Sequence, residues 1–120
     1  MLNDYLIELG YPEQDRVAYL EVAKSLDYLE RPYGFATYKS KGDAFVIIDM
    51  YVKPEFRRQN KAWSLFRDLQ SKAIAEGKRV MITFSCKKNQ KRDLGLSAIK
   101  AGGFIPYQEL KNSTAFIVGI

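Results

Sequence analysis

Between Ala44 and Cys86 the hydrophobic pattern changes period twice, and few folds accommodate that change. Residues 44–52, Ala-Phe-Val-Ile-Ile-Asp-Met-Tyr-Val, are nearly all apolar and β-prone, so they read as a central strand, which Pro54 ends. From Ala62 the period becomes helical, with Leu65, Phe66, Leu69 and Ala73 on one face and Gly77 as the stop. Val80–Cys86 is again a buried strand. Strand, helix and strand in direct succession make a βαβ unit, whose two strands lie parallel across a right-handed crossover.

The flanking segments fill out a sheet. Tyr33–Tyr38 alternates as a strand, and Lys39–Asp43 is a polar turn. Phe104–Leu110 and Thr114–Gly119 read as two strands joined by a tight antiparallel turn at Lys111–Ser113. A helix is expected over residues 12–30, opened by Pro12 with Glu13 and Asp15 in its first turn. Tyr19, Val22, Ala23, Leu26 and Leu29 carry its apolar spacing, and Pro32 stops it. A further helix is expected over Asn89–Ala101, with Leu94, Ala98 and Ala101 on one face and Gly102-Gly103 beyond it. Residues 3–9 fit either a helical turn or an extended arm. The expected class is α/β: one domain over residues 1–120, with a mixed, mostly antiparallel central sheet and helices on both faces.

Composition removes several chemistries. The chain has no histidine and one cysteine, Cys86. Intramolecular disulfides, thiolate metal clusters and every Ser–His or Cys–His nucleophile are therefore excluded, and no metal site is expected. Cys86 reads most simply as a buried structural thiol, and Trp63 and Phe66 as core. The first ten residues lack a basic leader pattern and no run of 18 apolar residues occurs, so the expectation is a cytoplasmic protein without membrane spans.

The net charge of +5 is unevenly placed. Residues 53–100 hold 13 Lys/Arg against four acids, while the remainder holds six against ten. Such a field favours an anionic ligand. Its focus is Arg57-Arg-Gln-Asn-Lys61, a basic turn that runs from the central strand straight into the helix. The free N–H groups and dipole of a helix start, with Arg57, Arg58 and Lys61 beside them, suit a pyrophosphate. The plainer alternative is a solvated basic turn.

Val52-Lys-Pro-Glu-Phe-Arg57, followed by Arg57-Arg-Gln-Asn-Lys-Ala62, resembles the cofactor-binding phrase of the GNAT (GCN5-related N-acetyltransferase) family. Gly103-Phe104 after a helix resembles the Gly-Phe that opens a later strand there, and the element order is similar from Tyr33 onward. The resemblance implies an acetyl-CoA-dependent N-acetyltransferase acting on an unidentified amine. It implies that Met50, Tyr51 and Val52 pair with the pantetheine arm as an added strand would. It implies further that the segment Arg57, Arg58, Gln59, Asn60, Lys61 and Ala62 holds the pyrophosphate. Lys87 or Lys88 and the Lys91-Arg92 pair could reach CoA phosphates, or form a solvated loop. Family members are often dimers, and Ala115–Ile120 suits either a pairing edge or an interior strand.

Two positions depart from the family phrase. Asn60 stands where glycine is usual; it tolerates left-handed backbone, but its side chain could also cap the helix and occupy the amides a phosphate would use. Ile99 stands where a proton-donating tyrosine is usual, leaving Tyr107 or Ser97 as substitutes. Acyl transfer to an amine needs a base, and without histidine the candidate is Asp49, placed by alternation on the face of Ile47 and Tyr51. Burial would raise its pKa, although a strand-end carboxylate in an ion pair is the commoner role. The rival in another class is a catalytically inactive GNAT-like protein that binds CoA or a protein partner. Nucleic-acid binding ranks below both, because no recognised motif accompanies the basic run and its aromatics do not interleave.

Overall fold

Six strands form one sheet in the order β1-β2-β3-β4-β6-β5. The structure, a computed structural model, describes residues 1–91 and 95–120, and for Asn89 and Lys91 the backbone only. The strands are β1 (Asp27–Arg31), β2 (Gly34–Lys41), β3 (Ala44–Val52), β4 (Val80–Cys86), β5 (Ile105–Glu109) and β6 (Ser113–Gly119). The helices are α1 (Leu2–Glu8), α2 (Glu13–Ala23), α3 (Lys61–Ala75), α4 (Lys87–Lys91) and α5 (Leu96–Ala101). The β3–β4 pair is parallel and the other pairings among the described residues are antiparallel, as a strand-helix-strand unit flanked by hairpins requires.

The main core lies between one sheet face and α3 with α5. Leu65, Phe66, Leu69 and Ala73 of α3 meet Ala36, Phe45, Ile47, Met81 and Phe116 of the sheet there. A glycine turn closes α3: the Gly77 N–H donates to Ile74 O and the Lys78 N–H to Ala73 O, with Gly77 at φ 73°. The opposite sheet face is covered by α1 and α2, with Leu6 and Phe35 fully enclosed.

Two expectations are corrected. The helix over residues 12–30 ends at Ala23, and residues 27–31 form β1. Leu26 and Leu29 fit helical spacing, but Leu29 is buried as a strand residue and Tyr28 stacks on Phe35 with ring centres 5.2 Å apart. Pairing with β2 across the Pro32-Tyr33 turn decides the conformation there. The helix expected over 89–101 starts earlier, at Lys87, and Gly95 at φ 76° precedes α5. Leu94 and the Arg92 of the Lys91-Arg92 pair lie outside the described residues, as does the Lys91 side chain. The Ala115–Ile120 alternative resolves as an interior strand: β6 sits between β4 and β5, and β5 is the edge. No helix among the described residues is long and apolar enough to cross a membrane.

Candidate active site

The parallel pair β3–β4 is joined only from Ala44↔Val80 to Val46↔Ile82. Beyond that point β3 continues with β2 as far as Val52, and β4 continues with β6 as far as Cys86, so the two strands diverge into a wedge. Where they part, β3 carries a bulge: Tyr38 faces Ile47 and Thr37 faces Asp49, leaving Ile48 without a partner. The wedge opens a cavity of about 1030 Å³, walled by β3, β4, the loop before α3, α5 and α1. Along it the β4-facing backbone groups of β3 lack strand partners, which is the condition for an extended ligand to add itself.

The bulge inverts the side-chain alternation. Asp49 shares a face with Tyr51, as expected, but not with Ile47, which turns to the α3 core while Asp49 pairs with Thr37 beneath α1 and α2. There Asp49 is 4% exposed and accepts hydrogen bonds from Tyr19 Oη (2.5 Å) and Thr37 Oγ1 (2.6 Å). Burial raises its pKa, and the two hydrogen bonds oppose that rise. Tyr19 lies on α2, a helix with no buried residue, so this bond is a main tether of α2 to the sheet.

At the wide end of the wedge the chain turns through Pro54–Phe56 into α3. Arg58 and Asn60 both adopt left-handed backbone, φ 60° and 59°. In that conformation Asn60 makes no side-chain cap, so the self-capping alternative is not realised. The N–H groups of Lys61, Ala62 and Trp63 form no hydrogen bond among the described residues; that of Ser64 is the first used, donating to Asn60 O. Arg58 and Lys61 form no ion pair among the described residues.

The residues singled out from the sequence assemble unevenly. Met50, Tyr51, Val52, Arg57, Arg58, Asn60, Lys61 and Ala62 all line the cavity. Gln59 does not; its side-chain amide donates to Glu55 O. Asp49 is not in the cavity wall, and Tyr107 stands 59% exposed on β5, away from it. Lys87 pairs with Glu109 at 3.2 Å. Two assignments to the core are corrected: Cys86 is partly exposed and faces the cavity, and Trp63 is 47% exposed at the helix start, whereas Phe66 is buried against Phe104.

Tyr5, one of several tyrosines that could line a substrate groove but had no chemistry to assign from sequence, lines the cavity, and so do Glu8 and Ser85, which sequence reasoning missed. Glu8 grips Arg57 bidentately, Oε1 to Nη1 at 2.7 Å and Oε2 to Nη2 at 2.8 Å, while Arg57 Nε donates to Val52 O. Arg57 therefore latches α1 to the loop, leaving Arg58 and Lys61 as the cations at the helix start. The Arg57 hydrogen bond holds the Glu8 carboxyl below the ordinary carboxylate range. A lowered carboxylate contributes stability above the unfolded pKa and loses it as pH falls through the folded one. With both partners about one-third exposed, Glu8→Gln should cost about 0.5 kcal/mol at pH 7. The gap between wild type and variant should close below pH 4.5 in paired urea titrations. A gap unchanged at pH 3 would mean that the latch carries no such linkage.

No known family profile and no curated protein matches the chain in sequence. Solved structures do match it. The PaiA N-acetyltransferase of Thermoplasma acidophilum, in complex with coenzyme A, superimposes with TM-score 0.74 over 97% of this chain and 84% of its own, at 14% identity. A Bacillus subtilis acetyltransferase in complex with CoA gives 0.68 over 100% and 94%, at 16% identity. The chain has the GNAT acetyltransferase fold. The ribosomal-protein-S18-alanine N-acetyltransferase of Escherichia coli shares the GNAT fold at TM-score 0.62, 13% identity, covering 92% of this chain and 78% of that one. The mixed sheet and flanking helices read from the sequence are those of this fold.

Proposed function

We propose that this chain transfers an acyl group, acetyl in the first instance, from coenzyme A to an amine. The observation that supports this most is the wedge between β3 and β4 leading directly to the unbonded N–H groups of α3. An acyl-CoA has that shape: an amide-bearing arm ending in a pyrophosphate. The backbone of Met50, Tyr51 and Val52 takes the arm as a neighbouring strand. The amides of Arg58–Ala62 take the pyrophosphate at the helix start, with Arg58 and Lys61 adding charge. Left-handed Asn60 fits this role, since its side chain leaves those amides free. Bound acyl-CoA would supply an activated thioester; the protein supplies position and proton transfer.

Asp49 takes the amine proton, through a bridging water because so little of it is exposed, and its raised pKa suits it to that work. Tyr5, a residue of the cavity wall on α1, gives a proton to the departing CoA thiolate in place of Tyr107. Burial raises its pKa, which keeps the hydroxyl protonated but makes it a weaker acid than a free tyrosine. One observation favours the binding-only alternative: both oxygens of Asp49 already accept hydrogen bonds.

Calorimetry with acetyl-CoA tests the reading. Binding is expected in the micromolar range, with a thermal shift matching about 2.7 kcal/mol at 100 times the dissociation constant. Arg58→Glu should weaken it by about 10- to 100-fold by replacing attraction to phosphate with repulsion. No heat at millimolar acetyl-CoA, together with binding to a DNA duplex that falls steeply with salt, would replace this reading with nucleic-acid binding.

A further inference from the structure

Ser85 presents an anomaly inside the wedge. Its residue is 4% exposed, and its hydroxyl is a buried side-chain polar atom without a hydrogen-bond partner among the described residues. The surroundings are otherwise satisfied: Gln90 Nε2 donates to Ser85 O at 2.9 Å and to Thr114 Oγ1 at 3.0 Å, and Thr114 Oγ1 donates to Glu109. A buried orphan hydroxyl costs stability and is uncommon in native folds unless something absent meets it. The position is informative. The register that sets Val46 beside Ile82 would, if continued, bring Ser85 opposite Asp49, one residue before the Met50–Val52 stretch. The strands part before that point, so Ser85 stands on the β4 side of the gap, in the wall of the cavity.

We infer that Ser85 Oγ is a ligand-recognition group, donating a hydrogen bond to a carbonyl of the pantetheine arm. The wedge then grips the arm from both sides: by backbone from β3 and by this one side chain from β4. Ser85 positions the arm and takes no part in proton transfer. The inference rests on the acyl-CoA reading above and adds to it a residue that ligand contact, rather than folding, explains.

Two probes separate the two levels of the argument. Acetyl-CoA carries the arm; adenosine 3′,5′-bisphosphate carries nucleotide phosphates without it. For Ser85→Ala the dissociation constant of acetyl-CoA should rise about five- to tenfold, the loss of one buried hydrogen bond. That of adenosine 3′,5′-bisphosphate should stay unchanged. The ligand-free variant should melt at the same temperature as wild type or higher, since an unsatisfied hydroxyl has been removed, and Ser85→Cys, of similar size, should repeat the result. Equal acetyl-CoA affinity in wild type and both variants overturns the inference and leaves the acyl-CoA reading standing. A parallel loss for both probes also overturns it, because the effect would then be a general distortion. Failure of wild type to bind either probe removes the acyl-CoA reading itself, and the inference with it.

Discussion

Asp49→Asn is expected to lower turnover by about 10²- to 10⁴-fold, the usual contribution of a positioned base, while acetyl-CoA affinity changes less than threefold. The substitution keeps the shape of the side chain. Thr37 and Tyr19 can rotate their hydroxyls to meet one amide oxygen and one amide nitrogen. Burial, the largest influence on Asp49, disfavours its charged form, so a raised folded pKa makes the carboxylate a cost to stability above that pKa. At neutral pH the neutral variant should therefore unfold no earlier than wild type. Lost turnover with retained stability and retained cofactor affinity identifies a proton-transfer role. Retained turnover would reduce Asp49 to an anchor for α2 through Tyr19 and favour a different base. Equal loss of stability and turnover would say the same.

Gly34→Ala should have the largest structural effect of any single methyl group added near the site. A Cβ there would lie 2.0 Å from Tyr51 O and 3.1 Å from both Tyr51 C and Val52 Cα. These are backbone atoms of the adjacent strand, with no flexible side chain to yield. Relief requires β2 and β3 to separate at the end where Gly34 faces Val52 and the Lys53 N–H donates to Tyr33 O. A loss of about 3–5 kcal/mol is expected, the range of severe core defects. For a chain of 120 residues that corresponds to a melting temperature lower by roughly 10 °C or more. The same displacement moves Tyr51 and Val52, so acetyl-CoA should bind more weakly to whatever remains folded. A change under 1 kcal/mol by urea titration would show that the two strands separate there at little cost.

The strand from Ala44 to Val52, the helix that follows it and the strand from Val80 to Cys86 were legible because their signals are local. An apolar run, a proline, a helical stripe and a glycine stop each act within a few residues. The basic turn was legible for the same reason, and eight of the nine residues named for cofactor contact line one cavity. β1 was not legible: Leu26 and Leu29 suit a helix or a strand, and only the neighbouring β2 distinguishes them. Glu8 was missed because nothing near it in the chain marks it. Glu8 gains its role from Arg57, 49 residues away.

The strands and helices from β2 onward, apart from the turn at Gly95 before α5, the class of fold and the basic strand-turn-helix segment were readable from the chain alone. Those features follow from periodicity and turn chemistry, which a short stretch of chain carries alone. Tertiary structure decided which groups meet. Alternation in a strand has period two only while the register runs unbroken. One unpaired residue, Ile48, reverses it, sending Asp49 to the face opposite Ile47. Whether a strand bulges, and how far it stays beside its parallel neighbour, depends on packing against other strands. The wedge, the buried carboxylate and the orphan hydroxyl of Ser85 are therefore properties of the assembled sheet.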